Sequence, residues 1–126
     1  MPVSEAKRQK GSMAYHSGHA AENSVERRYC DAGYALEVRR WRGRGGEIDL
    51  IFRAGDLLIF VEVKKSSSFA QAAMRVSVAQ QRRIFSAASE FVAGQPDGQL
   101  TEMRFDVALC DSKGDVKVIE NALFYD

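Results

Sequence analysis

Hydrophobic and polar positions along the chain follow first a helical period, then a strand period, then each again. Between Gly18 and Ala32, the residues Ala21, Val25 and Tyr29 fall four apart, and Gly33 is a natural stop. This predicts a first helix with Glu22 on or beside its apolar stripe. Tyr34 to Trp41 reads as a strand, and the glycine-rich stretch from Arg42 to Gly46 as a flexible turn. Glu47–Phe52 and Leu57–Lys64 read as two strands joined by a turn within 53–56, which makes a hairpin. Ser66 to Met74 has no clear period and reads as irregular. Ser77 and Gln80 have the spacing of a capping box, in which a serine hydroxyl caps the helix start and a glutamine reaches back. The helix that follows shows Gln81, Ile84, Phe85, Ala88, Phe91 and Val92 on one side, and Gly94 and Pro96 end it. Met103–Cys110 and Val116–Ile119 complete the series as strands separated by a turn at Lys113 and Gly114. The order α-β-β-β-α-β-β predicts an open mixed sheet with helices packed against it.

The hairpin holds the candidate chemistry. Side chains alternate faces along a strand. Alternation puts Ile48, Leu50 and Phe52 on one face of the first strand, and Glu47, Asp49 and Ile51 on the other. On the second strand Ile59, Val61 and Val63 share one face, while Phe60, Glu62 and Lys64 share the opposite one. A two-residue turn at Ala54 and Gly55 sets Asp49 opposite Phe60 and Glu47 opposite Glu62. A turn at Gly55 and Asp56 sets Asp49 opposite Glu62. Either register projects Asp49, Glu62 and Lys64 from one face, whereas a three-residue loop without a compensating bulge separates them.

Two carboxylates on neighbouring strands repel, and a divalent cation between them removes that cost. Magnesium suits such a place, because it takes one or two carboxylates and fills its octahedron with water and substrate phosphate. Lys64 is then placed to hold an attacking water or to offset charge on a phosphate. The alternative is a pair of outward polar positions and a solvated edge lysine. Strongly apolar flanks argue for a central hairpin, where charges are seldom left without partners. Glu22 could add a further metal oxygen, and Gln81, polar on an apolar helix face, could reach the site.

Composition narrows the class. The chain has 126 residues, 45% hydrophobic and 28% charged, with a formal net charge of +1. That is enough for one ordinary domain, expected over 16–126, after a polar tail over 1–15 expected to be disordered. No apolar run approaches the roughly 20 residues of a membrane span. The N-terminus has no apolar signal core. The expected compartment is cytoplasmic, with no membrane partner. Cys30 and Cys110 stand apart, without the paired spacing of a zinc site, and are expected to be reduced and partly buried. Arg39, Arg40, Arg42 and Arg44 crowd into six positions ahead of the hairpin. With Lys65, they could line an approach for a polyanion, since guanidinium forks suit phosphate. The alternative is an ordinary solvated surface. Trp41 reads as a strand-end anchor before it reads as a platform for a base, and Asp106, among apolar residues, as structural.

Asp49, followed on the next strand by Glu62, Val63 and Lys64, resembles the PD-(D/E)xK motif of restriction-endonuclease-like nucleases. More closely, the chain resembles the UPF0102 (YraN-type) family of small bacterial proteins. The resemblance spans about Gly18 to Phe124. It rests on Ala21-Glu22, Gly33-Tyr34, the run from Gly45 to Ile51, the run from Phe60 to Lys64, Arg104 to Val107, and Asn121-Ala122. It implies an α/β class, with a restriction-endonuclease-like α/β/α core, a central mixed five-stranded sheet and flanking helices, similar to archaeal Holliday-junction resolvases. It also implies that Glu22, Asp49, Glu62 and Lys64 hold the catalytic positions, with Asp49, Glu62 and Glu22 toward Mg2+ or Mn2+. Arg39, Arg40, Arg42, Arg44, Lys65 and Gln81 fall to the nucleic-acid side. The function so implied is a metal-dependent endonuclease for DNA, branched DNA included. The alternative is a non-catalytic nucleic-acid-binding module on the same fold. Resolvases of similar fold act as dimers, which makes a homodimer the assembly to test. The chain departs from the pattern twice. Lys65-Ser66 follows the Glu-Val-Lys where a Thr-Arg pair is usual, and Gln80-Gln81 stands where a lysine is often found.

Overall fold

In the computed structural model the described residues are 19–70 and 76–122. The expected N-terminal tail, the helix start at Gly18 and residues 71–74 of the stretch expected to be irregular lie outside them; within its described part, Phe69 and Ala70 are helical rather than irregular. Helix α1 spans 19–31. Strands β1 (Ala35–Arg42), β2 (Glu47–Ala54) and β3 (Leu57–Lys65) follow in a meander, then helix α2 (Val78–Val92), strand β4 (Met103–Cys110) and strand β5 (Val116–Ile119). A short 3-10 turn at Gly98–Leu100, which the sequence pattern did not suggest, bridges α2 to β4. The five strands form one sheet in the order β1-β2-β3-β4-β5. All neighbours are antiparallel except β3 and β4, which run parallel across the α2 crossover. The mixed sheet with a helix on each face is the restriction-endonuclease-like α/β arrangement.

The core divides by face. Val25 and Tyr29 of α1 pack on Leu50, Phe52, Ile59, Val61 and Ala108. On the other face Ala87, Ala88 and Val92 of α2 pack on Ile48, Ile51, Leu58 and Phe60. Both β2 and β3 are therefore buried on two sides, which accounts for their nearly continuous apolar runs. Trp41 stands edge-on to Phe91 of α2, with ring centroids 5.3 Å apart, in the anchoring role expected of it.

One expectation fails here. Ile48 does not share a face with Leu50 and Phe52; it joins Ile51 against α2. Alternation breaks at Asp49. Arg40, level with it on β1, has a φ of 53 and lies between the Arg39–Leu50 and Trp41–Ile48 pairs. The break in β2 thus coincides with a residue of β1 in left-handed backbone, a conformation that departs from regular strand geometry.

The 43–46 turn is held rather than free. The Arg44 N–H donates to Glu90 of α2 at 2.7 Å. A Cβ added at Gly45 would lie 2.3 Å from Ser86 Oγ, so only glycine lets the turn sit against the helix.

Candidate metal centre and family

The β2–β3 turn decides the register. Gly55 has φ 62 and Ala54 pairs with Leu57, so the loop is Gly55-Asp56. The ladder ends at Leu50–Val61, and the next positions along the two strands are Asp49 and Glu62. Of the two registers the sequence allows, this one brings the acids closest.

Asp49 Oδ2 accepts the backbone N–H of Val63 at 2.7 Å. This bond ties the carboxylate to β3 between Glu62 and Lys64. Lys64 Nζ lies 3.1 Å from Glu62 Oε1, and both side chains are largely buried. Burial pushes the Asp49 carboxyl up to about 7, and repulsion from Glu62 and, more weakly, Glu22 adds to it, while the Val63 bond and Lys64 act against it. Glu62 is raised too, chiefly by burial, with Lys64 opposing. A single ammonium thus leaves two half-desolvated carboxylates short of positive charge.

Gln80 also belongs to this group. Ser77 Oγ accepts the Gln80 N–H at 3.1 Å, as the capping box requires, but the glutamine side chain does not turn back to the backbone. Its Nε2 donates instead to Glu62 Oε1 at 2.7 Å. An ionised acceptor binds an amide donor more strongly than a neutral one, so the carboxylate outcompetes the cap. Sequence reasoning expected Gln81 to reach the site, but its Oε1 is buried without a hydrogen-bond partner among the described residues. A glutamine at the start of the helix after the Glu-x-Lys strand was the available signal.

Glu22 stands near enough to Asp49 to raise it, yet it is bonded elsewhere: Arg40 Nε donates to Glu22 Oε2 at 2.9 Å. Among the described residues no three acidic, histidine or cysteine side chains converge to hold a metal. The remaining basic residues are likewise engaged. Arg39 pairs with Glu26 at 2.7 Å and Arg42 with Glu47 at 3.2 Å, with 59% and 80% of the two arginine side chains exposed. Such exposed pairs are weak and exchangeable. Arg44 reaches α2 through its backbone, and Lys65 lies at the exposed end of β3.

Asp106 is separate and structural in form. Fully buried, it accepts from Tyr29 at 2.7 Å, from both Arg104 nitrogens at 3.0 and 2.8 Å, and from the Asn121 N–H at 2.8 Å. This network locks α1, β4 and the segment after β5 together. Cys110 is buried as expected, whereas Cys30 is exposed on the outer side of α1. No helix of the described residues is long and apolar enough to cross a membrane.

The chain matches the model of the uncharacterised protein family UPF0102 over residues 21–110. It is 56% identical over 123 residues to a UPF0102 protein of Roseobacter denitrificans, covering 98% of this chain and 95% of that one. A UPF0102 protein of Ruegeria pomeroyi is 56% identical, covering 90% of this chain and 92% of that one. Another, from Cereibacter sphaeroides, is 57% identical, covering 89% and 96% respectively. The matched span contains Glu22, Asp49, Glu62, Lys64 and Gln80 alike, and the chain belongs to the UPF0102 family.

Proposed function

We propose that this chain is a metal-dependent nuclease that hydrolyses phosphodiester bonds of DNA. The observation that carries the reading is the pair of half-buried Asp49 and buried Glu62, set level by the hairpin register and short of positive charge despite Lys64.

The donor set suits a hard divalent cation. Two carboxylates are what Mg2+ usually takes from a protein, with waters and phosphate oxygens completing the shell. Asp49 and Glu62 would hold the ion, which when bound polarises the phosphate and lowers the pKa of a coordinated water. The chain's own residues do the rest. The Val63 N–H fixes the Asp49 carboxylate, and Gln80 fixes that of Glu62. Lys64 presents an ammonium beside Glu62, where it offsets charge on a phosphate or holds a water. Apolar packing from Phe60 and Ile48 against α2 keeps the floor of the site dry, which strengthens each of these interactions.

The experiment is cleavage of linear, flapped and four-way DNA in Mg2+ or Mn2+, beside melting curves of the wild type and Asp49→Ala. Metal should raise the melting temperature of the wild type alone, and cutting should require Asp49. Metal binding with no cutting of any substrate would reject turnover and leave a binding module. No metal-induced shift would reject the site itself.

A further inference from the structure

We infer that Arg40 is a latch shared between Glu22 and DNA phosphate: in the free protein it withholds Glu22 from the Asp49–Glu62 pair, and a bound phosphate draws it away. The inference deepens the metal-site reading above and rests on it.

Three observations carry it. Glu22 is bonded to Arg40, the β1 residue level with Asp49, so a third carboxylate stands on that side of the pair, yet the three acids do not converge among the described residues. What holds Glu22 is Arg40, at 2.9 Å, with the two side chains 36% and 17% exposed. Arg40 itself occupies left-handed backbone, φ 53, at the break in strand alternation level with Asp49. Arginine gains nothing from that conformation, and such strain persists where the surroundings over-determine it, often at functional sites.

The ion pair is of the kind that exchanges. A half-exposed Arg–carboxylate contact is weak, whereas a phosphodiester offers the guanidinium two oxygens in matching geometry. When Arg40 turns to a phosphate, Glu22 loses its partner next to two carboxylates, and a cation becomes the best neutraliser available to all three. Metal affinity and DNA affinity are then coupled through one side chain, and by linkage the coupling is reciprocal. Arg40 is a positioning residue in this account, acting on the site through Glu22.

The test is a pair of double-mutant cycles on the full chain with Arg40→Gly and Glu22→Gln. Glycine suits φ 53, so the first variant removes the guanidinium without backbone cost. Calorimetric titration with Mn2+ alone should show Arg40→Gly binding about two- to fivefold tighter than wild type, and no such gain when Glu22 is glutamine. In EDTA, binding of a short duplex DNA should weaken in Arg40→Gly and tighten in Glu22→Gln, with most of the tightening lost when both are changed. Mn2+ binding that needs Asp49 but is unchanged or weaker in Arg40→Gly overturns the latch and leaves the metal site standing. An equal gain with and without Glu22 also overturns it. No Mn2+ binding to wild type or Arg40→Gly, with Asp49→Ala indistinguishable from both, rejects the metal-site reading and the latch together.

Discussion

Replacing Asp49 by asparagine should stabilise the metal-free protein at neutral and higher pH. An aspartate in an unfolded chain titrates near about 3.9, and in the folded chain burial and Glu62 push Asp49 up to about 7. Between these values the folded chain holds a proton that the unfolded chain releases. Folding then binds protons, so stability falls as pH rises through this window and stays low above it. At about 1.4 kcal/mol for each tenfold, the gap corresponds to about 4 kcal/mol at full extent. Asparagine is isosteric, keeps an oxygen for the Val63 N–H, and brings an amide that can donate toward Glu62. It should therefore recover about 2 to 4 kcal/mol at pH 8 and about a third of that near pH 5. Urea unfolding in EDTA at the two pH values measures this directly. Wild type should lose stability between about pH 5 and pH 8, and Asp49→Asn should be flatter. Mg2+ added at the higher pH should restore the wild type and leave the variant unmoved. A wild type equally stable at both values, or an asparagine variant weaker than wild type at the higher one, would refute the claim that the pair is short of positive charge.

Two further changes probe the surroundings of the pair. Gln80→Ala removes the amide that holds Glu62 and should cost about 1 kcal/mol in urea unfolding; Gln80→Lys, which restores a donor, should recover most of it. Asp106→Ala strips Arg104, Tyr29 and the Asn121 N–H of a buried common partner. It should cost about 3 to 5 kcal/mol, enough to lower soluble yield and the urea midpoint sharply, with Asp106→Asn losing less.

Much of this fold was legible because local patterns agree with the global one. Helical spacing at Ala21, Val25 and Tyr29, alternation at Phe105, Val107 and Leu109, and the serine cap of α2 each lead to the element observed. What stayed hidden depended on partners that only the fold supplies. Ile48 follows the alternation rule in sequence, and it changes face next to the position where β1 carries a left-handed arginine. Gln80 obeys the capping-box spacing, and its side chain leaves the box because a buried carboxylate lies within reach. The arginine run reads as a basic approach, yet Glu26, Glu22 and Glu47 meet Arg39, Arg40 and Arg42 in the folded chain.

These departures share a location. The break in alternation, the diverted glutamine and the arginine pinning Glu22 all lie around Asp49 and Glu62, while one other irregularity, a register shift between Leu36 and Val38, lies further along β1. A chain selected for stability alone could replace Asp49 or Glu62 by an uncharged residue and let Arg40 return to ordinary β backbone. Keeping two raised carboxylates level on adjacent strands is a standing cost to the folded state, and local rules are expected to fail where function imposes such a cost. A ligand that neutralises the pair turns the same arrangement from destabilising to favourable, which is why the site, and not the core, is where cation dependence should appear.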